Sequence, residues 1–154
     1  MTARQQSTRG SATSVAVDVA REGVRVALGE ERTREIVRAV CKREKVKHAL
    51  VSVTFVGSRR IAAMNRKFLG HAGPTDVITF ELEPAAGVVM GDIYIAPEVA
   101  RENAAAAGVR VREELVRLVV HGTLHVLGYT HDEGDHRTAG TMWKRQEALV
   151  AALA

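Results

Sequence analysis

A single cysteine, Cys41, stands among 154 residues. No internal disulfide can therefore staple the chain, and such sparse cysteine usage suits a reducing compartment. Cys41 falls inside a helical apolar pattern and reads as a packing residue. No apolar run approaches the roughly 18 residues of a membrane-spanning helix, and no internal repeat appears, which argues against helical membrane proteins and repeat arrays. The first eleven residues, Met1 to Ser11, contain Arg4 and Arg9 but no acid and no apolar core of a signal peptide. A loose polar tail is expected there, ahead of one domain over residues 12–154. An apolar share of 46% lets a chain of this length bury a sizeable core without metal or disulfide staples.

Charge is unevenly divided. The formal net charge is +4, but residues 1–77 carry 15 Lys or Arg against 7 Asp or Glu, and residues 78–154 carry 7 against 11. A basic half joined to an acidic half suggests a polyanionic partner gripped by one region and processed at another. The densest basic run, Arg32, Arg34, Arg38, Lys42, Arg43, Lys45 and Lys47, interleaves with acids, and its other reading is a solvated helix face.

The pattern of elements predicts a single α+β domain, with one small mixed sheet of about four strands and about five helices. Alternation predicts strands over Ser14–Ala20, with Gly23–Leu28 as a continuation, and over His48–Val56, Thr75–Leu82 and Val88–Ala96. Pro84 and an Ala-Ala-Gly turn should separate the last two. Helical spacing predicts Glu30–Glu44, Arg59–Phe68 with an N-cap from Gly57-Ser58 and a stop at Gly70, Glu98–Ala107, Val111–Leu127 and Arg137–Leu153. In the fourth helix Leu115, Leu118, Val119 and Val120 are too apolar for a solvent-covered helix, so it should be anchored in the core.

That helix also carries the chemistry. The run His121-Gly122-Thr123-Leu124-His125-Val126-Leu127-Gly128-Tyr129-Thr130-His131 places half of the chain's six histidines in eleven residues. Side chains four apart on a helix share a face and lie about 6 Å apart, close enough for two imidazoles to share one ion. Gly128 can take the left-handed conformation that closes a helix and turns the chain, bringing His131 to the same ion. Three neutral nitrogens with one open corner form the catalytic rather than the structural zinc pattern. One Zn²⁺ held by His121, His125 and His131 is therefore expected, on a zincin-like helix. The spacing matches the zinc-peptidase signature His-Glu-x-x-His-x-x-Gly-x-x-His except that Gly122 stands where the general base would be, which disfavours peptide hydrolysis. His136, directly after the acidic run 132–135, reads as solvated.

With this motif come Met64-Asn65, Gly70, Pro74-Thr75-Asp76-Val77-Ile78-Thr79-Phe80 and Gly91-Asp92-Ile93-Tyr94-Ile95, in that order. In this combination the chain resembles the YbeY endoribonuclease family over nearly all of its length after the tail. The resemblance implies a zinc-dependent endoribonuclease acting on single-stranded RNA in ribosomal RNA maturation and ribosome quality control. It also implies ribosomal partners, small-subunit proteins among them, and a cytoplasmic location without membrane attachment. Two positions depart from the family pattern. Thr130 stands where members commonly have aspartate, which makes Asp132 the nearest candidate for a carboxylate behind the ligands. Leu69 stands where many have an arginine assigned to RNA cleavage, which leaves Arg66 or Lys67 to supply positive charge to a phosphate.

Asp76 reads as a group behind the ligands or a proton-transfer group, with a capping role for Thr75-Asp76 as the alternative, and Asp92 reads as structural. The metal could polarise a phosphate oxygen or activate water, and the sequence leaves both open. Two rival functions remain: a ribosome-associated RNA-binding module whose zinc is structural, and a metallohydrolase of another substrate class.

Overall fold

The computed structural model describes residues 13–130 and 140–154. In chain order these form β1 (Ser14–Arg21), α1 (Glu30–Arg43), β2 (His48–Phe55) and α2 (Ser58–Met64), which runs on into a π-helical turn (Asn65–Leu69). They continue with β3 (Val77–Ala85), β4 (Val88–Ile95), α3 (Pro97–Ala107), α4 (Val111–Val126) and α5 (Thr141–Leu153). The four strands make one sheet in the order β1-β2-β4-β3. β1 pairs with β2, and β2 with β4, in parallel; β3 pairs with β4 antiparallel. The fold is thus the expected α+β domain with a mixed sheet.

Strand alternation divides the sheet into two faces. Val17, Val51, Val53, Phe55, Ile93 and Ile95 point one way and are buried in the main core with Ile36, Val40 and Cys41 of α1 and Leu115, Val119 and Leu124 of α4. On the opposite face Ile78 packs with Val56, Ile61, Met64 and Ala96, joined by Phe80 and Tyr94. The rings of Phe68, Phe80 and Tyr94 continue that face edge-to-face, with centroids 5.3 and 5.9 Å apart. Asp92 lies on the same face and accepts the Ser52 hydroxyl at 2.6 Å, a sheet-stabilising contact away from the α4 side.

Two glycines set how closely α4 approaches the sheet. A Cβ at Gly122 would lie 2.6 Å from Ile93 Cγ2, and one at Gly91 would lie 2.5 Å from Val126 Cγ2 and 3.1 Å from the Phe80 carbonyl oxygen. At each of these points a glycine on one element receives a side chain of the other, Ile93 against Gly122 and Val126 against Gly91, which fixes the height of the histidine helix over β4. The same contact explains Gly122 in the motif, because even a methyl group at that position runs into a buried, β-branched side chain.

Several boundaries differ from expectation. Gly23–Leu28 is not a strand; β1 ends at Arg21 and the chain loops to α1. The helix expected over Arg59–Phe68 begins at Ser58 and changes to a π turn at Asn65, with Gly70 closing it at φ 69°. Ser58 does not cap this helix. Gly57 occupies the cap position, and the Ser58 N–H donates to Glu98 Oε1 of α3 at 3.0 Å. Pro84 lies within β3 rather than beyond its end; β3 is an edge strand and the register shifts between Leu82 and Ala85, the two settings in which a sheet tolerates proline. The hairpin turns at Ala86 and Gly87, both with positive φ. Arg137 and the two residues after it lie outside the described residues, as does the polar tail expected over Met1 to Ser11.

Candidate metal centre

α4 ends in a turn that serves the site. Gly128, at φ 107°, donates its N–H to the His125 carbonyl, and the Tyr129 N–H reaches back to the Leu124 carbonyl, both at 3.0 Å. This is the two-bond closure that satisfies a helix's last carbonyls and needs a left-handed residue. It also places the Tyr129 carbonyl beside the last turn, where its oxygen lies 2.8 Å from His125 Nδ1.

His121 is oriented from another direction. Its Nδ1 lies 2.7 Å from Gln146 Oε1, on α5. The amide is itself oriented, because Gln146 Nε2 donates to Glu147 Oε2 at 3.0 Å. Glu147 in turn receives Arg117 Nε and Nη2, each at 3.0 Å, and Arg117 also donates to Glu114 at 2.8 Å and Glu113 at 3.3 Å. The Arg117 hydrogen bonds hold the Glu147 carboxyl below its ordinary value, and the same carboxylates raise the Arg117 guanidinium further. A chain of four side chains, Arg117, Glu147, Gln146 and His121, thus runs from α4 across α5 and back.

Both acceptors facing the rings are carbonyl-type oxygens, which cannot donate. Each Nδ1 must therefore carry the proton, and each Nε2 is left as a lone pair in the neutral ring. The two Nε2 atoms lie 3.2 Å apart. Two nitrogens about 2.0–2.1 Å from a tetrahedral zinc ion are about 3.3 Å apart, so this donor pair fits one zinc ion. The fit rests on the ring tautomers, the nitrogen spacing and the supporting acceptors, the arrangement by which proteins set ligand orientation.

A cleft of about 210 Å³ opens beside His121 and is lined by Asp76 and Val77 of the β3 approach, by Glu114, Arg117 and Leu118 of α4, and by Gln146. Asp76 therefore shares a cleft with His121. Its carboxylate accepts Asn103 Nδ2 at 3.1 Å and the Thr75 hydroxyl at 3.5 Å, and its carbonyl accepts the Ala96 N–H at 2.9 Å. The last bond is the structural part of its role. The loop before it is pinned by Asn65, whose Nδ2 donates to the Gly73 carbonyl at 2.9 Å and whose own carbonyl accepts the His71 N–H at 3.2 Å. Arg66 and Lys67 lie on the exposed side of the π turn and are not among the residues lining this cleft; Lys67 Nζ sits 5.2 Å from the Phe68 ring centroid. Leu69 is 49% exposed beside them.

His131, the third expected ligand, lies outside the described residues, as do Asp132 and His136. Among the described residues no group of three His, Cys, Asp or Glu gathers in ligand geometry. Gln146 and the Tyr129 carbonyl were missed from the sequence, where the supporting group was sought in Asp132. One signal was present: Gln146 is a polar residue in the buried stripe Met142, Leu149 and Val150 of α5. The backbone carbonyl leaves no trace in residue identity.

The family model described as Endoribonuclease YbeY matches residues 18–154. An Endoribonuclease YbeY of Thermotoga neapolitana is 36% identical over 129 residues, 80% of this chain and 84% of that one. One of Geobacillus kaustophilus is 43% identical over 114 residues, 67% and 72% of the two chains. One of Frankia alni is 34% identical over 151 residues, 90% and 82% of the two. The solution structure of TM1509 from Thermotoga maritima superimposes with a TM-score of 0.64 at 29% identity, covering 89% of this chain and 88% of that one. The family model spans the histidine helix and, from the middle of β1 onward, the sheet it packs on, and the chain belongs to the YbeY endoribonuclease family.

Proposed function

We propose that the protein is a zinc-dependent endoribonuclease that cleaves single-stranded RNA in ribosomal RNA maturation and ribosome quality control. One Zn²⁺ is held by His121, His125 and His131. When bound, the ion supplies Lewis-acid polarisation of a phosphodiester and a water of lowered pKa. The observation that carries this reading is the pair of Nε2 atoms 3.2 Å apart, each opposite an Nδ1 that donates to a carbonyl oxygen.

The remaining work falls to the chain's own groups. Gln146 and the Tyr129 carbonyl fix the tautomer and the aim of both imidazoles. Asp76, oriented by Asn103 and Thr75, is the carboxylate in the cleft able to take or return a proton at its Oδ atoms. Arg117 cannot serve as a free phosphate clamp, because three glutamates already hold it. Arg66 and Lys67 supply the unsatisfied positive charge that a scissile phosphate needs, in the role left open by Leu69. Unpaired strands suit such a cleft because their backbone can bend into it. A ribosome-bound, cytoplasmic setting accords with this substrate, and no helix among the described residues is long and apolar enough to cross a membrane.

The test incubates the purified protein with single-stranded RNA, with and without chelator, beside His121→Ala. Cleavage by the parent, lost in both controls, is expected. Cleavage that survives either control overturns the zinc-dependent reading. The exposed Leu69 favours a second reading, an RNA-binding module with structural zinc. It predicts salt-sensitive RNA binding that persists in His125→Ala, with no cleavage by the parent.

A further inference from the structure

The basic run of α1 divides into two parts. Its first three arginines are occupied: Arg32 donates to Glu35 and to the Leu153 carbonyl, and Arg34 pairs with Glu30 and Glu31. Arg34 and Arg38 also reach the Val17 and Val15 carbonyls at 3.3 and 3.4 Å, covering the open side of the edge strand β1. The lysines that follow are different. Lys42, Lys45 and Lys47 are exposed, and none of them makes an ion pair with a described residue. With Arg38 they ring a concavity of about 600 Å³ whose walls include Val15 and Val46.

The backbone at Lys45 marks this segment independently. α1 closes with the same two bonds as α4, Lys45 N–H to the Lys42 carbonyl and Val46 N–H to the Cys41 carbonyl, at 3.1 and 2.9 Å. Such a closure requires a left-handed residue, and the turns at Gly70, Gly108 and Gly128 all use glycine. Here the left-handed residue is Lys45, at φ 59°. A lysine kept where glycine would be unstrained points to a use for its charge.

The lysine end also touches the metal side of the molecule. Glu44, whose side chain is 8% exposed, accepts the Tyr129 hydroxyl at 2.5 Å and Arg145 Nη1 at 3.2 Å, and the Tyr129 carbonyl faces His125. Arg43, Lys144 and Arg145 line a second depression, around Glu44. Between them the two depressions are lined by seven cations and one acid, and that acid is already engaged twice.

We infer that Lys42, Lys45 and Lys47, with Arg43, Lys144 and Arg145 beyond them, form a track that binds the phosphodiester backbone of single-stranded RNA outside the cleavage cleft. The inference rests on the RNA reading of the histidine site and adds a second point of contact to it. Flexible ammonium groups around a partly apolar floor suit the backbone of any sequence, with affinity governed by released counterions.

The test compares the full-length parent with Lys42→Ala/Lys45→Gly/Lys47→Ala. Binding of a fluorescein-labelled single-stranded oligouridylate is measured across a KCl titration with chelator present. The variant should bind about tenfold or more weakly at low salt, and the slope of log affinity against log salt should fall by about 2, from about 0.7 per lost phosphate contact. Its melting temperature should be unchanged or higher, because Lys45→Gly relieves the left-handed turn, and its zinc content should match the parent's.

Unchanged affinity, or weaker affinity with an unchanged slope, overturns the track; the first of these would leave the patch to an acidic protein partner. A parent that binds no RNA also overturns it. A parent that binds RNA with the expected lysine dependence but does not cleave it with zinc supports the track and sinks the nuclease reading instead.

Discussion

In α4 each functional side chain has a fixed partner behind it, whereas in the Asn65–Leu69 turn the cations project from a backbone that alone is held. His121 is backed by Gln146, Glu147 and Arg117 in series, His125 by the Tyr129 carbonyl, and the helix between them by its contact with Ile93. Arg66 and Lys67 have no such backing among the described residues. The turn beneath them is fixed by Asn65, buried and bonded to Gly73, but their charged ends remain in water. A metal ligand must be placed to within a few tenths of an ångström and must stay neutral, so it needs a rigid frame. A cation that meets a moving phosphate gains from keeping its freedom until the substrate arrives.

The largest effect should come from breaking the rigid side at its ends. His121→Ala or His125→Ala removes one of three expected ligands. Zinc affinity should fall more than a hundredfold, on the order of 3 kcal/mol if the binding energy of a zinc site is shared among its ligands. Chelator competition followed by metal analysis measures it, and a variant that retains the parent's zinc content would remove that residue from the site.

Next in size is the contact beneath the helix. Gly122→Ala drives a methyl group to 2.6 Å from Ile93 Cγ2 and should destabilise the fold by about 1–3 kcal/mol. For a chain of this size that lowers the melting temperature by about 2–4 °C per kcal/mol. Gly122→Glu should be worse and should confer no peptidase activity, because position 122 faces the sheet. A stable Gly122→Glu protein would show that α4 can lift from β4 and would end the argument for a fixed helix.

Much of the fold was legible in the sequence because its signals are local. Alternation over His48–Phe55, the Pro97 and Gly108 that bracket α3, and the apolar faces of α1 and α4 depend only on chain period and on single residues with special backbone preferences. The π turn at Asn65 was not legible, since it depends on Asn65 reaching Gly73 across the loop. Pro84 misled for a related reason: a proline reads as a strand end unless the strand is known to be at an edge. In the site, the spacing of His121 and His125 told which residues converge, because four residues is one helical turn. The groups that orient them lie 25 residues away on α5 or in the backbone, and residue spacing carries neither.

A smaller effect should follow from cutting the support while leaving the ligands. Gln146→Leu removes the acceptor for His121 Nδ1 and should weaken zinc binding about 10–100-fold, whereas Gln146→Glu keeps an acceptor and should restore it. Equal loss in both variants would reduce Gln146 to a packing residue. Its anchor adds a pH signature. Glu147 lies below its ordinary carboxylate value because Arg117 hydrogen-bonds to the ionised form. A depressed carboxyl stabilises the fold above its unfolded-state pKa, and that contribution disappears as pH falls through the folded-state value. Thermal unfolding of the chelated protein between about pH 6 and pH 3 should therefore fall more steeply for the parent than for Glu147→Gln.

The smallest expected effect tests the loose side of the comparison. Arg66→Ala/Lys67→Ala removes two exposed cations from a turn held by its backbone, so folding and zinc content should stay at the parent's values while RNA cleavage slows. Each exposed charge-assisted contact to phosphate contributes on the order of 1 kcal/mol, so the pair should cost at least about tenfold in kcat/KM, with a loss that shrinks as salt rises. Restoring Leu69→Arg in that background sharpens the point. Leu69 sits 49% exposed on the same turn, so an arginine there needs no repacking and should recover part of the lost rate. If the double variant cleaves RNA like the parent, the phosphate is held from elsewhere. If its zinc content drops as well, the turn and the histidine helix are not the independent halves that their contacts indicate.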